Sequence, residues 1–402
     1  MPDETITQQV SERYARAVTT GEQMCCPTGY DFKDLQTFIP EEVLHASYGC
    51  GTPAGLTTVQ PGETVLDIGS GGGIDCFDAA RRIGPTGRVI GVDMTDEMLA
   101  LARRNAPFVA RNLGHPATTV EFRKGHAESL PVEDGVIDLI ISNCVINLAP
   151  DKPAVFREMY RVIRPGGRFT ISDIVADQPV PNYLLHDSQK WGDCLSGALP
   201  AREYLDGLVH AGFLGVHQVK FSPWQVIDGI HFFSVTLAGF KLPAAAERKD
   251  AFATLVGPFS RVMDEMGHSY RRGVPEPVSA RTAELFRTEP FERIFLLSET
   301  PIALAATDQR LMTILPANTP CVWKGHYAIL TAPFAEAEDD DHHVYRRGSP
   351  LEICSKTLDV LESGPYSRHF AILNRSTATV SADAVSSGAA SGRPTALTRP
   401  PF

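Results

Sequence analysis

From Thr64 onward the chain repeats one local programme of strand, turn and helix, and that alternation leaves few folds open. Apolar runs of strand length occupy Thr64–Ile68, Arg88–Val92, Thr119–Arg123, Val136–Ser142 and Gly167–Ser172. Helical patterns fill the gaps at Asp75–Arg82, Asp96–Asn105 and Lys152–Val162. Two further apolar runs, Val216–Phe221 and Phe232–Phe240, suit an antiparallel hairpin at a sheet edge. The pattern predicts an α/β domain with an open, mostly parallel sheet and helices on both faces. In such a sheet ligands bind beyond the carboxyl ends of the strands, so Gly69 to Gly73, Asp93 and Asn143 should converge.

The first strand runs into Asp67-Ile68-Gly69-Ser70-Gly71-Gly72-Gly73. Glycines there permit a tight turn and let a ligand approach the backbone. Their alternate spacing departs from the dinucleotide fingerprint, in which the third glycine follows the second by three residues. Asp67 can accept a hydrogen bond from a cationic amino group. Asp93, followed by Met94, ends the second strand, where a carboxylate can take both hydroxyls of a ribose. Gly125-His126-Ala127-Glu128-Ser129-Leu130-Pro131 follows the third strand and suits an adenine edge. Three such elements at consecutive strand ends argue for a nucleotide-like cofactor rather than three unrelated turns.

At 402 residues the chain exceeds one ordinary hydrophobic core, so at least two domains are expected. Its 48 acidic against 37 basic residues give a net charge of −11, and no Lys/Arg run offers a surface for nucleic acid. The opening Met1-Pro2-Asp3-Glu4 lacks the plan of a secretory signal. The most apolar stretch, around Val136 to Ala149, is interrupted by Asp138, Asn143 and Asn147, so no membrane span is expected. A cytoplasmic setting follows, in which the eight cysteines should be mostly reduced.

Domain boundaries follow from composition. Residues 1–60 form a helical opening (Thr7 to Thr20) and a cysteine-bearing segment, and 61–242 the cofactor domain. Residues 244–249 read as a linker, 243–375 as a smaller α+β domain, and 376–402 as a disordered tail rich in Ser, Ala, Thr, Gly and Pro. No internal repeat is evident at this level.

Three cysteines stand in unlike settings. Cys50 lies in Tyr48-Gly49-Cys50-Gly51, Cys144 in Asn143-Cys144-Val145-Ile146-Asn147, and Cys194 in Trp191-Gly192-Asp193-Cys194-Leu195. Soft thiolates select soft centres, so thiols beside a cofactor loop suggest a thiol-seeking substrate.

The glycine loop, Asp93, the Ala127–Glu128 segment and Arg164-Pro165-Gly166-Gly167-Arg168 resemble the class I S-adenosylmethionine-dependent methyltransferases, across about Val65 to Phe240. With the three cysteine motifs, Ile74-Asp75 and Trp191 added, the resemblance narrows to the arsenite methyltransferases over most of residues 20 to 240. It implies a Rossmann-like sheet with an N-terminal extension and S-adenosylmethionine as methyl donor. Asp67, Gly69 and Gly71 would hold its methionine part, Asp93 the ribose, and Ala127 to Glu128 the adenine region. Met94, Asn143 and Tyr48 would complete the cofactor site.

Trivalent arsenic would be the substrate, possibly as a thiol conjugate, bound by Cys50, Cys144 and Cys194. Its lone pair can attack the sulfonium methyl, and the nucleophile carries no proton. No general base is needed, which agrees with the lack of any catalytic His or carboxylate pair in the sequence. The expectation is that Cys144 and Cys194 form a fixed core, with Cys50 on a movable segment. The resemblance also implies a further N-terminal cysteine in a disulfide relay, either Cys25 or Cys26, exchanging with Cys50. Glutathione or thioredoxin would be the reductant.

Other assignments stay open at this level. Tyr48 could stack on the sulfonium or anchor its segment. Asp75 could approach the cofactor or cap the following helix. Trp191 could wall the arsenic site or be core. Cys76, Cys321 and Cys354 read as packing residues, His126 as a loop histidine, and Glu338-Asp339-Asp340-Asp341-His342-His343 as a solvated loop. The alternatives to arsenite methylation are an O- or C-methyltransferase of an organic metabolite and a metalloid-binding protein without turnover. A dinucleotide oxidoreductase ranks last, because its glycine spacing is absent.

Overall fold

The computed structural model describes residues 3–20, 30–185, 194–243, 251–312, 321–362 and 366–374. Cys25, Cys26, Trp191, the 244–249 linker and the 376–402 tail lie outside the described residues.

Strands β1 (Thr64–Ile68), β2 (Arg88–Asp93), β3 (Val120–Lys124), β4 (Ile137–Asn143), β5 (Ile163–Ala176), β6 (Leu214–Ile227) and β7 (Ile230–Lys241) form one sheet in the order β3-β2-β1-β4-β5-β7-β6. The first five are parallel and the β6–β7 hairpin is antiparallel at the edge, as the sequence pattern predicts. Strand order reverses at β1, between β2 on one side and β4 on the other. Such a reversal opens a crevice at the strand ends. Register aligns those ends: Ile68 lies opposite both Val92 and Ser142, and Asn143 opposite Ser172. The residues just beyond, Gly69, Asp93 and Asn143, are therefore brought together by pairing alone.

Helices cover both faces. Ile74–Ile83 and Asp96–Leu113 pack on one through Phe77, Ala80, Leu99 and Val109. Lys152–Val162 and Ala201–His210 pack on the other through Phe156, Met159, Tyr204 and Leu208. Phe77 and Phe156 are almost fully buried, and each such burial stabilises the fold by roughly 1.5–3 kcal/mol. The helix begun at Asp96 continues past Asn105 and through Pro107 to Leu113, because its tertiary contacts outweigh the local proline signal. The helix Ala201–His210 is not among the sequence expectations.

The C-terminal region contains an internal repeat that composition did not reveal. Strands β8 (Ala251–Leu255), β9 (Arg261–Met263), β10 (Ser269–Arg271), β11 (Pro275–Val278), the helix Ala280–Leu285 and β12 (Phe295–Ser298) make the first half. The second half is β13 (Trp323–Leu330), β14 (Glu336–Glu338), β15 (Val344–Arg346), β16 (Pro350–Cys354), the helix Ser355–Glu362 and β17 (Phe370–Asn374). Each half forms a three-stranded antiparallel sheet, and the two hairpins join as β10-β9-β14-β15. Val262 faces Ala337 at the centre of that join. Ser260 N–H donates to Glu338 O and Ala335 N–H to Met263 O, a reciprocal pair about a local two-fold.

The sequence echo is Tyr270-Arg271-Arg272-Gly273 against Tyr345-Arg346-Arg347-Gly348. In both hairpins one aspartate, Asp264 or Asp339, accepts the N–H of a histidine and the hydroxyl of a tyrosine. The solvated-loop reading of residues 338–343 holds for Asp340, Asp341 and His342, which are exposed, and fails at Asp339. Asp339 is buried because it is the polar centre of a hairpin turn.

Both halves meet the larger sheet at the start of β6. Gly215 and Val216 at the start of β6 donate their N–H groups to Glu265, at 2.7 and 3.0 Å. Arg347 crosses from the other half to pair with Glu265 and donates to Val216 O at 2.8 Å, the pair being 4% exposed on each side. The symmetry-related pair, Arg272 with Asp340, stays at the surface.

Candidate functional site

The strand ends of β1, β2 and β4 open into a cleft of about 980 Å³. Tyr48, Asp67, Gly69, Gly71, Asp93, Met94, Ala127, Glu128 and Asn143 all line it, as do Cys144 and His126. Gly69 and Gly71 have φ of +74° and +50°. A Cβ on Gly69 would fall into the Val145 side chain, so the first turn of the loop requires glycine there. Asp93 accepts the N–H groups of Gly71 at 2.9 Å and Thr95 at 2.8 Å, which ties the loop to the end of β2. His126 is an exposed loop residue at the rim.

Of the two sequence readings of Asp75, helix cap or cleft residue, the structure excludes the cap. The N-cap of its helix is Gly73, and the Asp75 carboxyl is buried and turned into the cleft. There Tyr30 donates its hydroxyl to Oδ2 at 2.5 Å, and Asn143 Nδ2 lies at 3.3 Å. Oδ1 has no hydrogen-bond partner among the described residues, and neither does the buried Ser70 Oγ. Burial, above all, raises Asp75 to about 6, and it pushes Asp67 well above the usual carboxylate range, with the Asp75 charge adding to the effect. Desolvation also raises Asp93. No Lys or Arg among the described residues forms a salt bridge with these three crowded carboxyls, and Arg82 acts on Asp75 only through space. A ligand bearing positive charge and hydrogen-bond donors fits that deficit.

The cysteines form the adjoining wall. Cys50 and Cys144 are joined as a disulfide, with Cα atoms 5.9 Å apart. Cys50 N–H also donates to Cys144 Sγ at 3.0 Å. The Cys50 segment is therefore held in this oxidised state. Gly51 N–H donates to Asn143 Oδ1 at 3.1 Å, Asn143 Nδ2 donates to Gly51 O at 2.8 Å, and Ser234 Oγ donates to Cys50 O at 2.8 Å. A Cβ on Gly51 would strike Ser172, so glycine allows this close seam. The bridge departs from the expectation that these thiols are reduced, while the exchange of Cys50 with Cys25 or Cys26 falls on residues outside the described ones. The partner of Cys50 is Cys144, because β4 ends directly beneath it.

Cys194 is buried and not disulfide-bonded, and its thiol donates to Cys144 O at 3.0 Å. Cys144 and Cys194 both adopt left-handed backbone, with φ of 59° and 62°. That conformation is costly for a residue with a Cβ and is characteristic of functional sites. The three sulfurs do not form one cluster here. Among the described residues, the potential ligand atoms that lie within 4.8 Å of one another belong to Cys50, Cys144 and Asp173.

Asp173 is absent from the sequence expectations. It is buried and accepts the N–H groups of Asn147 at 3.0 Å and Ile174 at 2.9 Å and the Tyr204 hydroxyl at 3.2 Å. Lys152, also buried, donates to Asn147 O and Ala149 O and feels the charges of Asp173 and Cys194. Desolvation raises the acid and lowers the base, and their mutual attraction opposes both shifts. Thus a buried acid and a buried base, coupled by charge, lie behind the thiols. Its one legible signal was Asp173 inside an apolar strand; Tyr30 and Lys152 carried none. Cys76 packs as expected, donating its thiol to Asp67.

Residues 60–224 match a family described as a methyltransferase domain, and residues 244–314 and 317–400 match a domain of unknown function. The arsenite methyltransferase of Halobacterium salinarum is 42% identical over 238 residues, covering 54% of this chain and 59% of that protein. The arsenite methyltransferase of Rattus norvegicus is 30% identical over 303 residues, covering 70% and 80%. The chain thus spans about three-fifths of the length of the first relative and four-fifths of the second. A crystal structure of an arsenic(III) S-adenosylmethionine methyltransferase from Chlamydomonas reinhardtii superposes with a TM-score of 0.52 at 31% identity. That superposition covers 68% of this chain and 96% of the other. No helix among the described residues is long and apolar enough to cross a membrane.

Proposed function

This chain belongs to the arsenite methyltransferases, a family of the class I methyltransferase fold, and on that premise we propose that it methylates trivalent arsenic held by cysteine thiolates. The observation that carries the reading is the Cys50–Cys144 pair in the wall of the cofactor cleft, with Asp173 beside it.

S-adenosylmethionine, when bound, supplies an electrophilic methyl group on a sulfonium. Asp67 and Asp75 receive its positive end, Gly69 and Gly71 let it approach the backbone, and Asp93 takes the ribose hydroxyls. Tyr48, Met94, Asn143, Ala127 and Glu128 line the remainder. The cation also relieves the mutual repulsion of the carboxyls.

Arsenic can enter only after the disulfide opens. Two equivalents of an external thiol supply the electrons, leaving two protein thiols and one oxidised external disulfide. Trivalent arsenic then exchanges hydroxides for thiolates of Cys50, Cys144 and Cys194, with each thiol proton leaving in water. The protein holds its lone pair toward the methyl carbon, so orientation is supplied before reaction. Methylation formally oxidises arsenic by two electrons. Two thiols returning those electrons become a disulfide, so the Cys50–Cys144 bridge is the oxidised end of the cycle. Glutathione or thioredoxin would reopen it, with Cys25 or Cys26 as an intermediate. A reducing compartment such as the cytoplasm suits this cycle.

The direct test is incubation with arsenite, S-adenosylmethionine and glutathione, resolving arsenic species over time. Methylated arsenic is the expected result. Cofactor consumption indifferent to arsenite would sink the proposal in favour of an organic substrate.

Asp75 gives a second prediction. Between its unfolded value near 3.8 and its folded value of about 6, the folded state holds the extra proton. Its contribution to stability is therefore full below pH ~4 and declines as pH rises through ~6. Cofactor affinity runs the opposite way, rising as the carboxylate forms. Asp75→Asn is expected to raise the melting temperature of the cofactor-free protein at pH 7. It should also weaken S-adenosylmethionine binding about tenfold and flatten the pH dependence between 5 and 7. Calorimetric titration across that range measures each effect.

A further inference from the structure

The repeat in the C-terminal region exposes a second dithiol. In the first half, Ser279 caps the helix Ala280–Leu285, its Oγ accepting Thr282 N–H at 3.1 Å. The corresponding position in the second half is Cys354, at the start of Ser355–Glu362, and its sulfur lies 3.5 Å from Thr357 Oγ1. Threonine stands three residues on in both halves, so the helix start is shared and only the capping atom differs. Cysteine is a weak cap, so sulfur at this position calls for another reason.

That reason is supplied by Cys321. Cys354 pairs in register with Trp323, while Ser355 N–H donates to Val322 O at 2.8 Å and Val322 N–H donates to Ser355 Oγ at 3.1 Å. These bonds bring Cys321 alongside Cys354, close enough for each thiol to perturb the other. Both cysteines are free; Cys354 is buried and Cys321 exposed. The exposed Cys321 contradicts the expectation that both merely pack. Burial pushes the Cys354 thiol up, but hydrogen bonds from Cys321 and Thr357 and from the N–H groups of Thr357 and Lys356 bring it down to about 7. Val322 and Trp323, large apolar side chains 45% and 59% exposed, flank the pair.

We propose that Cys321 and Cys354 form a second arsenical site, which chelates trivalent arsenic bearing one organic group. Arsenite has three exchangeable bonds, but a singly methylated trivalent arsenical has two, the number this pair can fill. The exchange balances without redox change: two hydroxides on arsenic leave as water with the two thiol protons, and two As–S bonds form. The exposed Cys321 meets the arsenical first, Cys354 closes the chelate, and Val322 and Trp323 offer apolar surface to the organic group. The biological ligand rests on the arsenic-methylating reading above; the dithiol itself does not.

Phenylarsine oxide is the probe, and native mass spectrometry of the reduced full chain is the readout. With Cys25 and Cys26 left intact, Cys321→Ser is expected to lose one adduct and keep arsenite methylation. Cys354→Ser should lose the same adduct and stay folded, because serine already occupies that cap in Ser279. Cys144→Ser/Cys194→Ser should retain the Cys321-dependent adduct. An adduct count unchanged by either Cys321→Ser or Cys354→Ser overturns the proposal. If the Cys321-dependent adduct persists while arsenite yields no methylated product, the dithiol site stands and the catalytic reading falls.

Discussion

Cys144→Ser is expected to lower arsenite methylation at least about 100-fold while leaving S-adenosylmethionine affinity within a few-fold of the parent. Oxygen is a hard donor and a poor ligand for trivalent arsenic. Misplacing a reacting atom by about an ångström already costs on the order of 100-fold. Cys144 stands between both neighbours: its sulfur is bonded to Cys50, and its carbonyl accepts the Cys194 thiol. Among the described residues, Cys144 is the cysteine that touches both of the others. The assay must be run with excess reductant, since in oxidised protein the variant also loses a cross-link that stabilises by about 2–4 kcal/mol. Full activity in Cys144→Ser would remove the thiolate mechanism, whatever its effect on stability.

The second large effect concerns the domain junction. Arg347→Ala should destabilise the protein by about 3–5 kcal/mol, since Glu265 would be left buried without its cation. The internal two-fold provides a matched control. Arg272→Ala removes the equivalent arginine from the exposed Asp340 and should cost about 1 kcal/mol or less. Burial already raises Glu265 despite its partner. In Arg347→Ala the carboxyl should rise further, so the deficit should shrink as pH falls toward 5. Urea unfolding of both variants at pH 5 and 7.5 tests the contrast. Equal losses in the two variants would show that Gly215 and Val216 do not make the junction special.

The pattern of strands and glycines carried the cofactor domain well. Period and turn chemistry are local, and in a parallel sheet the strand ends must meet, so Gly69, Asp93 and Asn143 could be placed together from the chain alone. The C-terminal repeat escaped because its two halves share mainly the hairpin residues, such as Tyr270-Arg271-Arg272-Gly273, while the strands between have diverged. Asp75 was legible as a charged residue near the loop but not as a buried one. Its exposure depends on Tyr30, which lies 45 positions away along the chain.

What the sequence by itself determined is the succession of β1 to β5 along the chain and the glycine loop after β1, and it supplied the three cysteines proposed as soft ligands. These follow from residues that are neighbours along the chain or that repeat with a fixed period. The tertiary structure decided which thiols meet. Cys50 and Cys144, 94 positions apart, are joined because Gly51 lets its segment lie against Asn143 and Ser172. Asp173 and Lys152 are buried behind them, and Cys321 is brought beside Cys354 by the pairing of β13 with β16. Each of these is a contact between segments distant in sequence. Local preference does not encode such contacts, and packing does.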